Sequence, residues 1–148
     1  MKRRTLIQAI AFLPVLPTLS AQAATPIHVY KNASCDCCTG WVKHLSSAGF
    51  AVQVTTTDDT TSVRKRVGIP DAFGACHTAT VEGYAIEGHV PAPEIRRLLA
   101  LKPQAIGLAV PSMPVGSPGM EVGTRRDPFD VLLVDRSGRS TVFAHYPG

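Results

Sequence analysis

The sequence predicts an α/β domain: a mixed sheet flanked by helices, with an added Pro/Gly-rich loop and a C-terminal β-hairpin. Three observations carry this. Short runs with alternating apolar residues are interleaved with segments whose apolar residues recur at three and four positions. Gly, Pro, Asn and Asp punctuate most of the junctions between them. Two connections, Glu82-Gly83 and Arg136-Ser137-Gly138-Arg139, are short enough to join only antiparallel neighbours.

The elements follow in order. Ile27 to Tyr30 is a short β-prone run, and Lys31-Asn32-Ala33-Ser34 is a polar turn leading to Cys35. From about Asp36, Cys38, Trp41, Val42, Leu45 and Ala48 share helical spacing, with Gly49 as the stop and Ser34 or Asp36 as the cap. Phe50 to Thr55 alternates as a second strand, and Asp58 or Thr60 opens a second helix to Val67, closed by Gly68-Ile69-Pro70. Thr78 to Val81 and Tyr84 to Ile86 pair across a tight turn. Pro93 suits the start of a helix over Glu94 to Leu101, with Ile95, Leu98 and Leu99 on one face. Residues 103–128 are rich in Pro and Gly and read as an extended loop; Phe129 to Val134 and Thr141 to Tyr146 then form a hairpin. The order β-α-β-α-β-β-α, with a strand feeding Cys35-x-x-Cys38 at a helix N-terminus, resembles the thioredoxin fold.

The first residues stand apart from that domain. Lys2, Arg3 and Arg4 precede an apolar stretch from Leu6 to Leu19, and Ala21-Gln22-Ala23 offers a cleavage site, the order of a secretory signal over residues 1–23. The stretch is too short to span a bilayer, and Pro14 and Pro17 interrupt it, which argues against an uncleaved anchor. Arg3-Arg4 before Thr5-Leu6-Ile7 also fits a twin-arginine signal. The expectation is a periplasmic protein whose domain spans residues 24–148, with no membrane contact after cleavage. Without the leader, 12 basic residues face 11 acidic ones, a balance of +1. No basic run there exceeds Arg64-Lys65-Arg66, so no nucleic-acid partner is expected.

All four cysteines lie in the exported part, where structural disulfides are the usual use. Cys35, Cys37 and Cys38 are too close together to staple distant segments, and Cys76 is the one far partner. An inert Cys35–Cys38 or Cys35–Cys76 bridge is the plain alternative. Thiols in the first helical turn meet the positive end of the helix dipole, which favours thiolate. Thiolate serves both redox attack and soft-metal binding. In a thioredoxin-like arrangement the turn holding Cys76-His77-Thr78 faces the Cys-x-x-Cys, so four sulfurs converge. Such a set suits Cu(I), zinc or an iron–sulfur centre. Adjacent Cys37 and Cys38 serve one tetrahedral ion poorly but bridge ions of a small cluster, which favours more than one Cu(I).

Other donors rank below the cysteines. Met113 and Met120 lie in the Pro/Gly loop; their thioethers suit Cu(I) entry or transfer, or simply pack the loop down. His77 is the best placed histidine, as ligand or as hydrogen-bond partner of one. His89 fits a backbone-bonding role in its turn, although it is placed to face the site. His28, His44 and His145 read as strand or surface residues, and Trp41 as core or a lid over the thiols. Glu82, Glu87 and Glu94 show no paired-carboxylate spacing.

Long motifs carry a further resemblance. Tyr30-Lys31-Asn32-x-Ser34-Cys35-x-Cys37-Cys38-x-Gly40-Trp41, Cys76-His77-Thr78, and Gly83-Tyr84-x-Ile86-Glu87-Gly88-His89-Val90-Pro91 are similar to the CopG-type periplasmic proteins. So are Gly107-Leu108-Ala109-Val110-Pro111 and Met113-Pro114-x-Gly116-Ser117-Pro118-Gly119-Met120-Glu121. The resemblance covers nearly the whole exported chain; Asp36 stands where a glycine is common. It implies a thioredoxin-like fold with His77 in the place of the usual cis-proline, copper bound by the four cysteines, a role in copper tolerance beside other periplasmic copper-handling proteins, and a redox step on the copper. The rival from another class is a thiol–disulfide oxidoreductase in which Cys35 attacks and Cys38 resolves.

Overall fold

The computed structural model describes residues 23–148; the expected secretory signal lies almost wholly outside the described residues. β1 (Pro26–Lys31) leads to α1 (Asp36–Ser47), then β2 (Ala51–Thr56), α2 (Thr60–Arg66) and a short 3-10 turn at Asp71–Phe73. β3 (His77–Val81) and β4 (Tyr84–Glu87) follow, then α3 (Ala92–Leu101), β5 (Ala105–Ala109), β6 (Phe129–Asp135) and β7 (Ser140–Tyr146). No helix among the described residues is long and apolar enough to cross a membrane.

One seven-stranded sheet runs β2-β1-β3-β4-β5-β6-β7. The β1–β2 and β4–β5 pairs, each joined through a crossover helix, are parallel, and the other neighbours are antiparallel. This is the mixed, helix-flanked sheet expected from the sequence, and its first four strands have thioredoxin-like order. One segment departs from expectation. Residues 103–128 are not all loop, because β5 lies within them and sits between β4 and β6. Its sequence, Ala-Ile-Gly-Leu-Ala, is short, lies just after Pro103 and lacks alternation, because it is buried towards both faces. Gly107 has no room for a Cβ against the Ala85 backbone, so close strand approach hid the strand behind a turn-forming residue.

Side-chain alternation divides the core. On one face, Trp41 and Leu45 of α1 and Ile95 and Leu98 of α3 pack on Ile27, Val29, Ala79, Val81, Ile86 and Leu108. On the other, Ile69 joins Ala85, Ala109 and Val134. Trp41 is core: it is wholly buried, and its indole N–H donates to the Val90 carbonyl at 2.8 Å.

Helix α1 has no side-chain cap. Cys35 itself occupies the N-cap position, while Ser34 turns its amide and hydroxyl back to Asn32 Oδ1 at 3.0 and 2.7 Å. The expected cap by Ser34 or Asp36 is therefore not formed, because Asn32 captures Ser34 in its own side-chain turn. The second helix is capped by Asp59, whose Oδ1 accepts from the Ser62 amide at 2.9 Å.

Candidate metal centre

Two elements bring the four cysteines together. Cys35, Cys37 and Cys38 occupy the N-cap and first turn of α1, and Cys76 ends the turn entering β3. The β1–β3 ladder pairs Lys31, the last residue before the cysteine turn, with His77. That register places Cys76 beside the helix start. All four sulfurs lie within 4.8 Å of one another. Cys35 and Cys38 are joined as a disulfide, and Cys37 and Cys76 are free thiols. Cys37 Sγ is 3.4 Å from Cys35 Sγ and 3.8 Å from Cys76 Sγ, and Cys76 Sγ is 3.5 Å from Cys38 Sγ. Cys38 is fully buried; the other three are partly exposed.

Two imidazoles complete the cluster. His77 Nδ1 and His89 Nε2 each lie 3.3 Å from Cys76 Sγ. The far nitrogen of each ring meets a backbone carbonyl: His77 Nε2 donates to Gly88 at 2.9 Å, and His89 Nδ1 to Pro118 at 2.8 Å. A carbonyl only accepts, so in the neutral rings these bonds fix the tautomers. Both remaining lone pairs then point at one sulfur. A thiol has one proton and satisfies one of them; a cation in the same place satisfies both. The rings are neutral because burial, with His89 close by, holds the His77 pKa down to about 3, and burial lowers that of His89. Burial also pushes the Cys76 thiol up to about 12, aided by the neighbouring Cys37 thiol. Burial thus disfavours charge on both imidazoles and on the Cys76 sulfur. Soft sulfur and imidazole donors at this spacing fit a thiophilic ion, and binding one expels protons from the thiols.

The Pro/Gly loop takes part. Gly119, at φ +88°, lies so close to α1 that a Cβ would be 2.5 Å from the Trp41 nitrogen and 2.7 Å from the Cys37 carbonyl. Buried Ser117 braces the loop through a hydroxyl bond of 2.7 Å to the Pro114 carbonyl. The loop thereby delivers the Pro118 carbonyl that orients His89. Met113 is 48 % exposed on the same loop and Met120 is half-buried.

His89 thus does both things considered for it, bonding backbone through one nitrogen and facing the site through the other. The signal for it was Gly88, at φ +73° and with no room for a Cβ against the Val110 carbonyl. That turn sends Glu87 and His89 to different sides. Of the histidines read as ordinary, His28 stacks on Tyr30, His145 pairs with Asp130, and His44 accepts from the Ala92 amide at 3.0 Å, linking α1 to α3. Glu87, which has no carboxylate partner, proves to be fully buried behind Cys76.

Residues 73–120 match the family described as "Protein of unknown function, DUF411", a span holding Cys76, His77, His89 and both loop methionines. No curated protein matches the chain. Two solved structures, titled "Copper resistance protein copG- Form 2" and "Copper resistance protein copG- Form 1", share 44 % and 45 % sequence identity with it. Each superposes with a TM-score of 0.80 over 84 % of this chain and 99 % of the other. With nearly the full length of those proteins matched at that identity, the chain belongs to the CopG family of copper resistance proteins.

Proposed function

We propose that this protein is an exported, periplasmic copper-binding protein of copper tolerance, which holds Cu(I) through Cys35, Cys37, Cys38 and Cys76. The observation that carries the reading is the convergence of four sulfurs and two imidazole lone pairs at one end of the sheet. Zinc accepts sulfur and nitrogen equally well, but the adjacent Cys37-Cys38 pair and the thioethers of Met113 and Met120 favour Cu(I). Bridging thiolates give the site capacity for more than one ion. Met113 and Met120 would hand copper in or out across the loop, and other periplasmic copper-handling proteins would be the donors or acceptors.

The Cys35–Cys38 disulfide ties binding to redox state. Opening it takes two electrons and yields two thiolates, which then become ligands. Oxidation of two Cu(I) to two Cu(II) supplies those electrons, and the reverse step re-forms the disulfide. The same bridge favours a second reading, a thiol–disulfide oxidoreductase, because Cys35 is partly exposed for attack and Cys38 is buried as the resolving thiol.

Anaerobic titration of the reduced protein with Cu(I), against a chromogenic Cu(I) chelator, separates the two. The copper reading predicts retention of copper in competition and its loss in Cys76→Ser. A protein that retains none, yet reduces insulin disulfides, would overturn it. Iron or zinc retained in preference to copper would overturn the choice of metal.

A further inference from the structure

Three of the four sulfurs are placed by one helical turn, so closure of the cluster depends on what holds Cys76. The stretch from Gly74 to Cys76 lies between the 3-10 turn and β3 and has sparse backbone pairing: the Gly74 amide donates to Asp71 at 3.0 Å, and its carbonyl accepts from Ser112 at 3.2 Å. The Ala75 amide donates instead to a side chain, Glu87 Oε1, at 2.8 Å.

Glu87 is wholly buried and fully engaged. Its second oxygen accepts from the Thr78 hydroxyl at 2.6 Å, and Arg64 Nη1 lies 3.5 Å from the first. Arg64 is itself 8 % exposed and reaches on to Asp71 at 3.1 Å. It passes directly beneath the turn, since a Cβ on Gly74 would lie 3.0 Å from the guanidinium carbon. Its Nε is buried with no partner among the described residues. Taking a carboxylate and a guanidinium out of water is costly, and an apolar pair of the same volume is commonly as stable or more so. Stability alone is therefore a poor reason for this pair. Its contacts point elsewhere: apart from the Arg64–Asp71 ion pair, they fall on the turn and strand that carry Cys76.

We infer that Glu87 is a positioning residue for the metal centre, which with Arg64 clamps the Gly74–Cys76 turn so that Cys76 stands opposite the helix thiols. The clamp acts from the α2 face of the sheet while His77 packs on Trp41 on the opposite face, so the turn is gripped from both sides. The consequence for copper rests on the copper-binding reading above; the consequence for sulfur geometry does not.

The test uses both. In a Cys35→Ser, Cys37→Ser background, the equilibrium of the Cys38–Cys76 disulfide with glutathione reads the effective concentration of one sulfur at the other, with no metal present. Glu87→Ala should lower it about tenfold or more, whereas Glu87→Gln, which keeps an acceptor for the Ala75 amide, should stay within about threefold of the parent. In the four-cysteine protein, Glu87→Ala should weaken Cu(I) retention by about 10- to 100-fold. If Glu87→Ala does not fold, the double change Arg64→Met, Glu87→Met removes the clamp without leaving a lone buried charge, and the same losses are expected. Val134→Ala, in the same side of the core but away from the turn, controls for lost stability and should leave the effective concentration unchanged. An unchanged effective concentration in Glu87→Ala or in the double variant would overturn the inference. A fall in effective concentration in a protein whose parent retains no copper would uphold the clamp and sink the copper reading instead.

Discussion

Acid should unfold this protein through a histidine that cannot be protonated in place. His77 is fully buried against Trp41, at 4.4 Å between ring centroids, and its pKa is held near 3 rather than 6.5. Between those values the unfolded chain binds a proton at this position and the folded chain does not. The contribution is therefore complete above pH 6.5 and is lost as pH falls towards 3. Each pH unit within the window costs about 1.4 kcal/mol, so moving the metal-free protein from neutral pH to 5 costs about 2 kcal/mol from His77 alone. The lowered pKa values of His44 and His89 act in the same direction. Glu87 acts oppositely, because burial raises its carboxyl pKa and the folded state gains its proton first as pH falls. Comparison with His77→Gln cancels those common contributions. Urea unfolding followed by the fluorescence of Trp41, the one tryptophan, gives the stability at each pH. The slope of stability against pH between 6 and 4 should be lower in His77→Gln by about 1.4 kcal/mol per unit. Equal slopes, or an imidazole signal from His77 titrating near 6.5 in the folded protein, would refute the reasoning.

Three further outcomes follow from the same geometry. Gly119→Ala places a methyl group 2.5 Å from the Trp41 nitrogen at a positive φ, so the loop must lift; urea unfolding should show a loss of about 1–3 kcal/mol, and a loss below about 0.5 would contradict the packing. Trp41→Phe leaves the buried Val90 carbonyl without its donor and opens a gap beside His77, for a thermal-unfolding loss of about 2–4 kcal/mol. Cys76, with its thiol pKa pushed up to about 12, should react with iodoacetamide at pH 8 about 100-fold or more slowly than an exposed cysteine, as read by peptide mass analysis; equal rates would show that the thiol is not held protonated.

Much of this arrangement was legible in the residues. Helical spacing from Cys38 to Ala48 put three cysteines at a helix start, and the short connection at Glu82-Gly83 made β3 and β4 antiparallel. The approach of Cys76 was expected from the resemblance to the thioredoxin fold, and the β1–β3 pairing brings it about. What stayed hidden depends on distant contacts. β5 was masked because its buried, glycine-bearing sequence shows no period and sits in Pro/Gly-rich surroundings. The Pro/Gly loop read as an appendage, yet its Pro118 carbonyl sets the tautomer of His89, a contact across 29 positions. Glu87 has no second carboxylate at paired spacing; its partners are a backbone amide, a hydroxyl and a guanidinium from three separate segments. No local pattern announces such a group.

The central claim is that the cysteine cluster is a copper centre, and copper X-ray absorption on the anaerobically reduced, Cu(I)-loaded protein tests it most directly. The predicted spectrum is that of Cu(I) in a first shell dominated by sulfur, with a minor nitrogen contribution that disappears in His77→Gln, His89→Gln and a sulfur shell that is lost in Cys76→Ser. A first shell of nitrogen and oxygen alone, or a spectrum that Cys76→Ser leaves unchanged, would contradict it.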